Sequence, residues 1–259
     1  MISLQDIHVT FNPGTPLAKV ALRGLSLDIP PGDFITVIGS NGAGKSTLLN
    51  AIGGDIICDR GTVTMDGQNV TRWPTARRSS LVARVFQNPL AGTCPELTIE
   101  ENLTLAFRRG QARGLRPALS RRWREQFRER LARLNLGLEQ RLCDRIGLLS
   151  GGQRQAISLV MATLAPAKIL LLDEHTAALD PKTAGYIMEL TQRLVEEHRL
   201  TTLMVTHSMA QALGSGNRLL MLHDGYIVLD ADRAEKARLT IDELLQRFSS
   251  SAQDRLLLG

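Results

Sequence analysis

The chain has 259 residues, 43% of them apolar, a formal net charge of +5 and 3 cysteines. That length suffices for one substantial core and a smaller subdomain, while the longest apolar runs, such as residues 169–172, fall far short of the roughly 20 residues that a membrane-crossing helix needs. Cys58, Cys94 and Cys143 are too scattered for a zinc pattern and predict reduced thiols, and the opening residues lack the basic-then-apolar signature of a secretory signal, which predicts a chain that stays in the cytoplasm.

Residues 4–11 and 25–29 alternate apolar and polar, as half-buried strands do. Asp66-Gly67, between Met65 and the nearby Val70, is a hairpin turn signal, so the N-terminal part reads as an antiparallel sheet. Residues 34–38, 169–172 and 202–205 are nearly continuous apolar runs instead, the pattern of strands buried on both faces of a parallel sheet. Helices predicted over 46–52 and 184–198 separate them, and an α/β core follows.

From Thr98 the character changes. Thr98 and Glu101 form a capping box at a helix start, and Trp123, Phe127, Leu131 and Leu134 recur at helical spacing, which predicts an inserted helical lobe whose aromatic stripe packs within it. The chain then divides into a core of residues 1–87 and 162–259 and a lobe of residues 88–161. A second hairpin signal stands at Asp224-Gly225, and Leu239, Ile241, Leu244, Leu245 and Phe248 suit a terminal helix.

The positive charge is local. Residues 102–145 hold 12 arginines against 4 acids. Without an interleaved aromatic platform this patch does not read as a nucleic-acid face; a solvated helix face or a surface near anionic lipid headgroups remains.

Three motifs carry chemistry. Gly39-Ser40-Asn41-Gly42-Ala43-Gly44-Lys45-Ser46-Thr47 follows a buried strand and opens a helix, as a phosphate-binding loop must. Its glycines let backbone N–H groups approach phosphate oxygens, Lys45 reaches the β- and γ-phosphates of ATP, and Ser46 is placed to ligate Mg²⁺. Asp173 and Glu174 emerge at the C-terminal end of the second apolar run; Asp173 is a candidate Mg²⁺ ligand and Glu174 a base that polarises the attacking water. In Leu149-Ser150-Gly151-Gly152-Gln153, Ser150 and Gln153 satisfy a capping pattern while Gly151 and Gly152 expose backbone N–H groups, a second anion site. One phosphate loop and a separate anion binder are both useful if two copies meet head to tail across the nucleotide.

With these motifs and Ala178-Leu179-Asp180 in hand, the chain resembles the ABC ATPase family over nearly its full length. The resemblance implies a P-loop NTPase fold with a mostly parallel sheet, an N-terminal antiparallel β subdomain and an inserted helical subdomain. It implies a homodimer with ATP and Mg²⁺ between the copies, and a separate membrane permease that holds the protein at the cytoplasmic face of the membrane. It also makes Gln87 the glutamine that senses Mg²⁺ and contacts the permease, His207 the switch histidine at the γ-phosphate, and Asp180 part of the loop linking the paired sites. Phe11, 28 positions before the phosphate loop, falls where the family stacks an aromatic ring on adenine; many members carry Tyr there, and core packing is the competing role. Pro95, Glu96 and Leu97 fall beside the family's coupling groove for the permease.

One departure is His175, where most members have Pro or Ala; packing is its expected role. The run from Glu174 to Pro181 resembles the branch of bacterial importers paired with lipoprotein-type solute receptors, of aromatic amino-acid type. An importer subunit for a small solute such as an amino acid, served indirectly by an extracytoplasmic solute-binding protein, is the reading that follows. A soluble member of the family acting in cofactor assembly or DNA repair, without a permease, is the alternative, and the ATP site does not separate the two.

Overall fold

The computed structural model describes residues 1–111 and 119–256. Its contacts divide the chain into two units, Met1–Arg78 with Leu200–Gly259, and Ser79–Arg199.

The first unit begins with β1 (Ile2–Phe11) and β2 (Lys19–Ile29), an antiparallel pair. β3 (Phe34–Gly39) is buried along its whole length and leads through a loop into α1 (Lys45–Gly53). β4 (Arg60–Met65) pairs antiparallel with β1 and turns back into the short β5 (Gln68–Asn69), giving a four-stranded sheet in the order β2-β1-β4-β5. Asp66 and Gly67 at the turn both have positive φ, 49° and 75°, as a tight two-residue hairpin turn requires. The helix α2 (Thr75–Arg78) ends on Arg78, whose side chain is fully buried.

In the second unit, β6 (Val82–Val85) precedes the helices α3 (Ile99–Phe107), α4 (Arg121–Ala132) and α5 (Gly151–Leu164). The expected capping box at Thr98 forms, with the hydroxyl accepting from the Glu101 N–H and the Glu101 carboxylate accepting from the Thr98 N–H. Phe127 and Leu131 of α4 are buried, and so is Leu134 just beyond the helix end. Trp123 packs on Phe107, with ring centroids 4.1 Å apart. β7 (Ile169–Asp173) lies parallel to β6, Arg84 standing opposite Leu171, and α6 (Pro181–His198) closes the unit. The expected lobe, residues 88–161, lies inside this unit, which also holds β6, β7 and α6.

The chain returns to the first unit with β8 (Thr202–Val205), α7 (Met209–Gly214), β9 (Arg218–His223), β10 (Tyr226–Ala231), α8 (Arg233–Lys236) and α9 (Ile241–Leu256). β3 is flanked on both sides by parallel strands, β8 and β9, and β10 is antiparallel to β9 across the Asp224-Gly225 turn. Leu244 of α9 is buried, with Leu239 and Phe248 packed beside it. Ile241 and Leu245, read from the sequence as part of the same apolar face, are 44% and 48% exposed.

Candidate functional site

The expected site residues divide between the two units. In the first, the loop from Gly39 to Gly44 joins the buried β3 to the N-terminus of α1. A side chain at Gly39 would meet the Leu222 carbonyl oxygen at 2.4 Å, and one at Gly44, where φ is 103°, would meet the Ala21 carbonyl oxygen at 2.6 Å. Backbone packed this closely from β9 and β2 leaves room only for glycine at both ends of the loop.

Lys45 is buried, and its ammonium donates to the carbonyls of Gly39 and Ser40 at 2.8 and 3.0 Å. Asn41 and Ser46 are exposed at the mouth of the loop, and the first turn of α1 carries no acid. A cation, a hydroxyl and a helix N-terminus with no competing carboxylate are the donor set that a metal-bound polyphosphate requires. Thr47 is buried behind them.

Lys19 had no signal in the sequence. Its Nζ lies 3.1 Å from where a side chain at Gly42 would begin, which sets a second cation over the loop. Lys19 stands opposite Phe11 in the β1–β2 pair, and the pairing that brings it there is a tertiary fact. Phe11 is 40% exposed and stands outside the fully buried core. His207 is exposed just after β8, while the neighbouring Thr206 donates its N–H to Val37 of β3 at 3.1 Å.

In the second unit, β7 delivers Asp173 and Glu174 together. Glu174 takes a left-handed backbone, φ 45°, an uncommon conformation for a residue with a side chain. Its Oε2 accepts from the Gln87 amide at 3.1 Å, so two residues singled out separately in the sequence meet here. Asp173 Oδ2 accepts from Arg84 at 2.8 Å, a partner not foreseen.

Ser150 and Gln153 form a reciprocal capping box at the start of α5, each side chain bonding the other's N–H at 3.2 Å. They bond each other and not the carboxylates. Asp180 caps α6, accepting from the Thr183 N–H at 3.1 Å, and hydrogen bonding to Thr183 holds its carboxyl below the usual range. His175 is buried and bonded to the Thr191 hydroxyl at 2.9 Å. That hydroxyl donates onward to the Ile187 carbonyl, so it accepts from His175 Nε2–H and fixes the neutral tautomer. Burial pushes the His175 pKa down to about 4.

The sequence profile of the ABC transporter family matches residues 22–177. The chain belongs to the ABC transporter family.

It is the ATP-binding, ATP-hydrolysing cassette of that family. It is 46% identical over 250 residues to a tyrosine transport ATP-binding protein of Clostridioides difficile (strain R20291), covering 96% of this chain and 98% of the relative. It is 34% identical over 220 residues to the aliphatic sulfonates import ATP-binding protein SsuB 2 of Agrobacterium fabrum (strain C58 / ATCC 33970), covering 85% and 76%. Among solved structures it is similar to a dimeric ATP-binding cassette in a post-hydrolysis state bound to ADP and Pi, with a TM-score of 0.77, 31% identity, and coverage of 90% and 99%. Among the described residues, no helix of the cassette is long and apolar enough to cross a membrane.

Proposed function

We propose that this cassette works as a homodimer that drives a separate membrane permease, importing an aromatic amino acid such as tyrosine. The tyrosine transport ATP-binding protein, aligned over nearly both full lengths, supports the solute class. The observation that carries the catalytic reading is the Gln87–Glu174 hydrogen bond, 3.1 Å, beside an Asp173 carboxylate that retains one oxygen for a metal.

In this reading Gly39 to Thr47 cradle the phosphates of ATP and Phe11 stacks on its base. Ser46 and Asp173 hold Mg²⁺, with Gln87 near it. Bound Mg²⁺ supplies charge neutralisation at the phosphate oxygens. Glu174 accepts a proton from the attacking water, Gln87 orients that carboxylate, and His207 contacts the γ-phosphate. Ser150 to Gln153 of the second copy close over the same nucleotide, and Asp180 links the two sites. Hydrolysis reopens the pair.

The lobe of residues 88–161 passes this motion to the permease through Pro95, Glu96 and Leu97. Their loop suits such a contact because it is pinned from inside: the Asn102 side chain, 1% exposed, bonds both the N–H and the carbonyl of Cys94, at 2.8 and 3.0 Å, and reaches the Leu97 carbonyl. Glu96 meanwhile projects into solvent, with 85% of its side chain exposed.

The test has two arms. Glu174→Gln should lower ATP turnover by about 10²–10⁴, the usual worth of a positioned base, while ATP binding persists and the protein elutes as a dimer with ATP. Cells lacking this chain should lose uptake of labelled tyrosine and regain it with the wild-type gene but not with Glu174→Gln. Wild-type turnover in the variant would remove the catalytic assignment, and unchanged tyrosine uptake in the deletion strain would remove the solute.

A further inference from the structure

Side chains two apart on a strand share a face. Because Arg84 of β6 stands opposite Leu171 of β7, the side chain of Asp173 lies on Arg84's face, diagonally across the pair. A long arginine spans that diagonal, and its guanidinium reaches Asp173 Oδ2 at 2.8 Å. Both side chains are mostly withdrawn from water, 13% and 16% exposed. The guanidinium also lies over the Phe86 ring, 4.7 Å from its centroid, and the Phe86 carbonyl is tied to Gln155 of α5 at 3.3 Å. A short, charge-assisted contact in this setting is strong. It engages one oxygen only, and Asp173 Oδ1 has no protein partner among the described residues.

We propose that Arg84 is a positioning residue that serves as the resident counter-cation of Asp173 in the metal-free cassette, so that the Arg84 charge competes with Mg²⁺ and sets the metal concentration at which nucleotide binds. The inference rests on the reading of Asp173 as a metal ligand. Without a cation the mostly buried carboxylate is costly; with the guanidinium it is already neutralised before metal arrives. A divalent ion on Oδ1 must then share the carboxylate with a fixed positive charge a few ångströms away. Removing that charge should loosen the empty cassette and tighten its hold on metal, two effects of opposite sign that general damage to the fold does not produce.

The experiment compares wild type, Arg84→Met, Arg84→Lys and Asp173→Asn as full chains. Binding of a fluorescent ATP analogue is titrated with Mg²⁺, and thermal melting is followed in EDTA and in Mg²⁺ with ADP. For Arg84→Met the Mg²⁺ half-saturation should fall at least about threefold, the scale of a lost unit charge near a partly buried ion. Its melting temperature in EDTA should drop, and its gain on adding Mg²⁺ and ADP should exceed that of wild type. Arg84→Lys, which keeps the charge, should retain the wild-type half-saturation. If Arg84→Met does not fold, Arg84→Gln carries the same expectation. An unchanged or raised half-saturation in a folded variant overturns the proposal. The control separates the two levels: if Asp173→Asn keeps the wild-type Mg²⁺ dependence, the metal reading of Asp173 fails and this inference with it. If it abolishes that dependence while Arg84→Met matches wild type, the counter-cation role alone fails.

Discussion

Gly152, at the start of α5, faces the side chain of Thr183, at the start of α6, so closely that a β-carbon on the glycine would lie 2.3 Å from the threonine Cγ2 methyl. The methyl belongs to a β-branched side chain with little freedom to withdraw. Gly152→Ala should therefore cost about 1–3 kcal/mol by overpacking. Thr183→Ser deletes the offending methyl and should restore most of the loss in the double variant, as read by urea denaturation of all four proteins. A Gly152→Ala protein as stable as wild type would show that the two helix starts separate freely.

His175 predicts an acid dependence of stability. Its pKa falls from 6.5 to about 4 on folding because burial disfavours the imidazolium. Above pH 6.5 both folded and unfolded chains hold it neutral, so its contribution is complete there. Below that the unfolded chain takes up a proton that the folded one refuses, so stability drops as pH falls from 6.5 toward about 4. Between pH 7.5 and 5 this residue alone should remove about 2 kcal/mol. His175→Asn should be less stable at neutral pH but show a shallower decline. Equal slopes for the two proteins would mean that the imidazole charges without leaving its pocket.

Arg78 ties the end of α1 to the β4–β5 side of its unit, donating to the Ile52 carbonyl at 2.9 Å and the Thr71 carbonyl at 2.8 Å, and also to Ala51. Arg78→Met keeps volume but strands several buried carbonyls, at about 1–3 kcal/mol for each one left unsatisfied. Its melting temperature should fall, and nucleotide affinity should weaken with it, because α1 carries the phosphate loop. A variant that melts earlier yet binds ATP as tightly as wild type would show that the far end of α1 does not support the loop.

Phe11→Ala should weaken ATP binding by about 1–3 kcal/mol, the worth of stacking one base on an aromatic ring. Since Phe11 is 40% exposed, melting of the nucleotide-free protein should barely change. The reverse outcome, a stability loss with unchanged affinity measured by titration calorimetry, would return Phe11 to a packing role.

Local chemistry was legible in the sequence, and distant pairing was not. The Thr98 and Ser150 capping boxes and the turns at Asp66-Gly67 and Asp224-Gly225 depend on residues within a few positions of one another, so spacing alone reveals them. The phosphate loop is legible for the same reason. Arg84, Lys19 and Arg78 matter through strand register or helix packing: Arg84 and Asp173 are 89 positions apart and meet only because β6 lies beside β7. The terminal helix is legible from its apolar spacing, since Ile241, Leu244, Leu245 and Phe248 form one stripe, but the spacing does not say where along that stripe the contact is centred: the core covers Leu244 and packs Phe248, and leaves Ile241 and Leu245 44% and 48% exposed.

The left-handed backbone at Glu174 carries an evolutionary consequence. Glycine adopts that conformation without the steric cost a glutamate bears, and a single base change converts either glutamate codon into one for glycine. On the role proposed for Glu174, this substitution would silence the motor while leaving the turn at ease. One mutational step would then separate folding from turnover, giving a protein at least as stable as the parent.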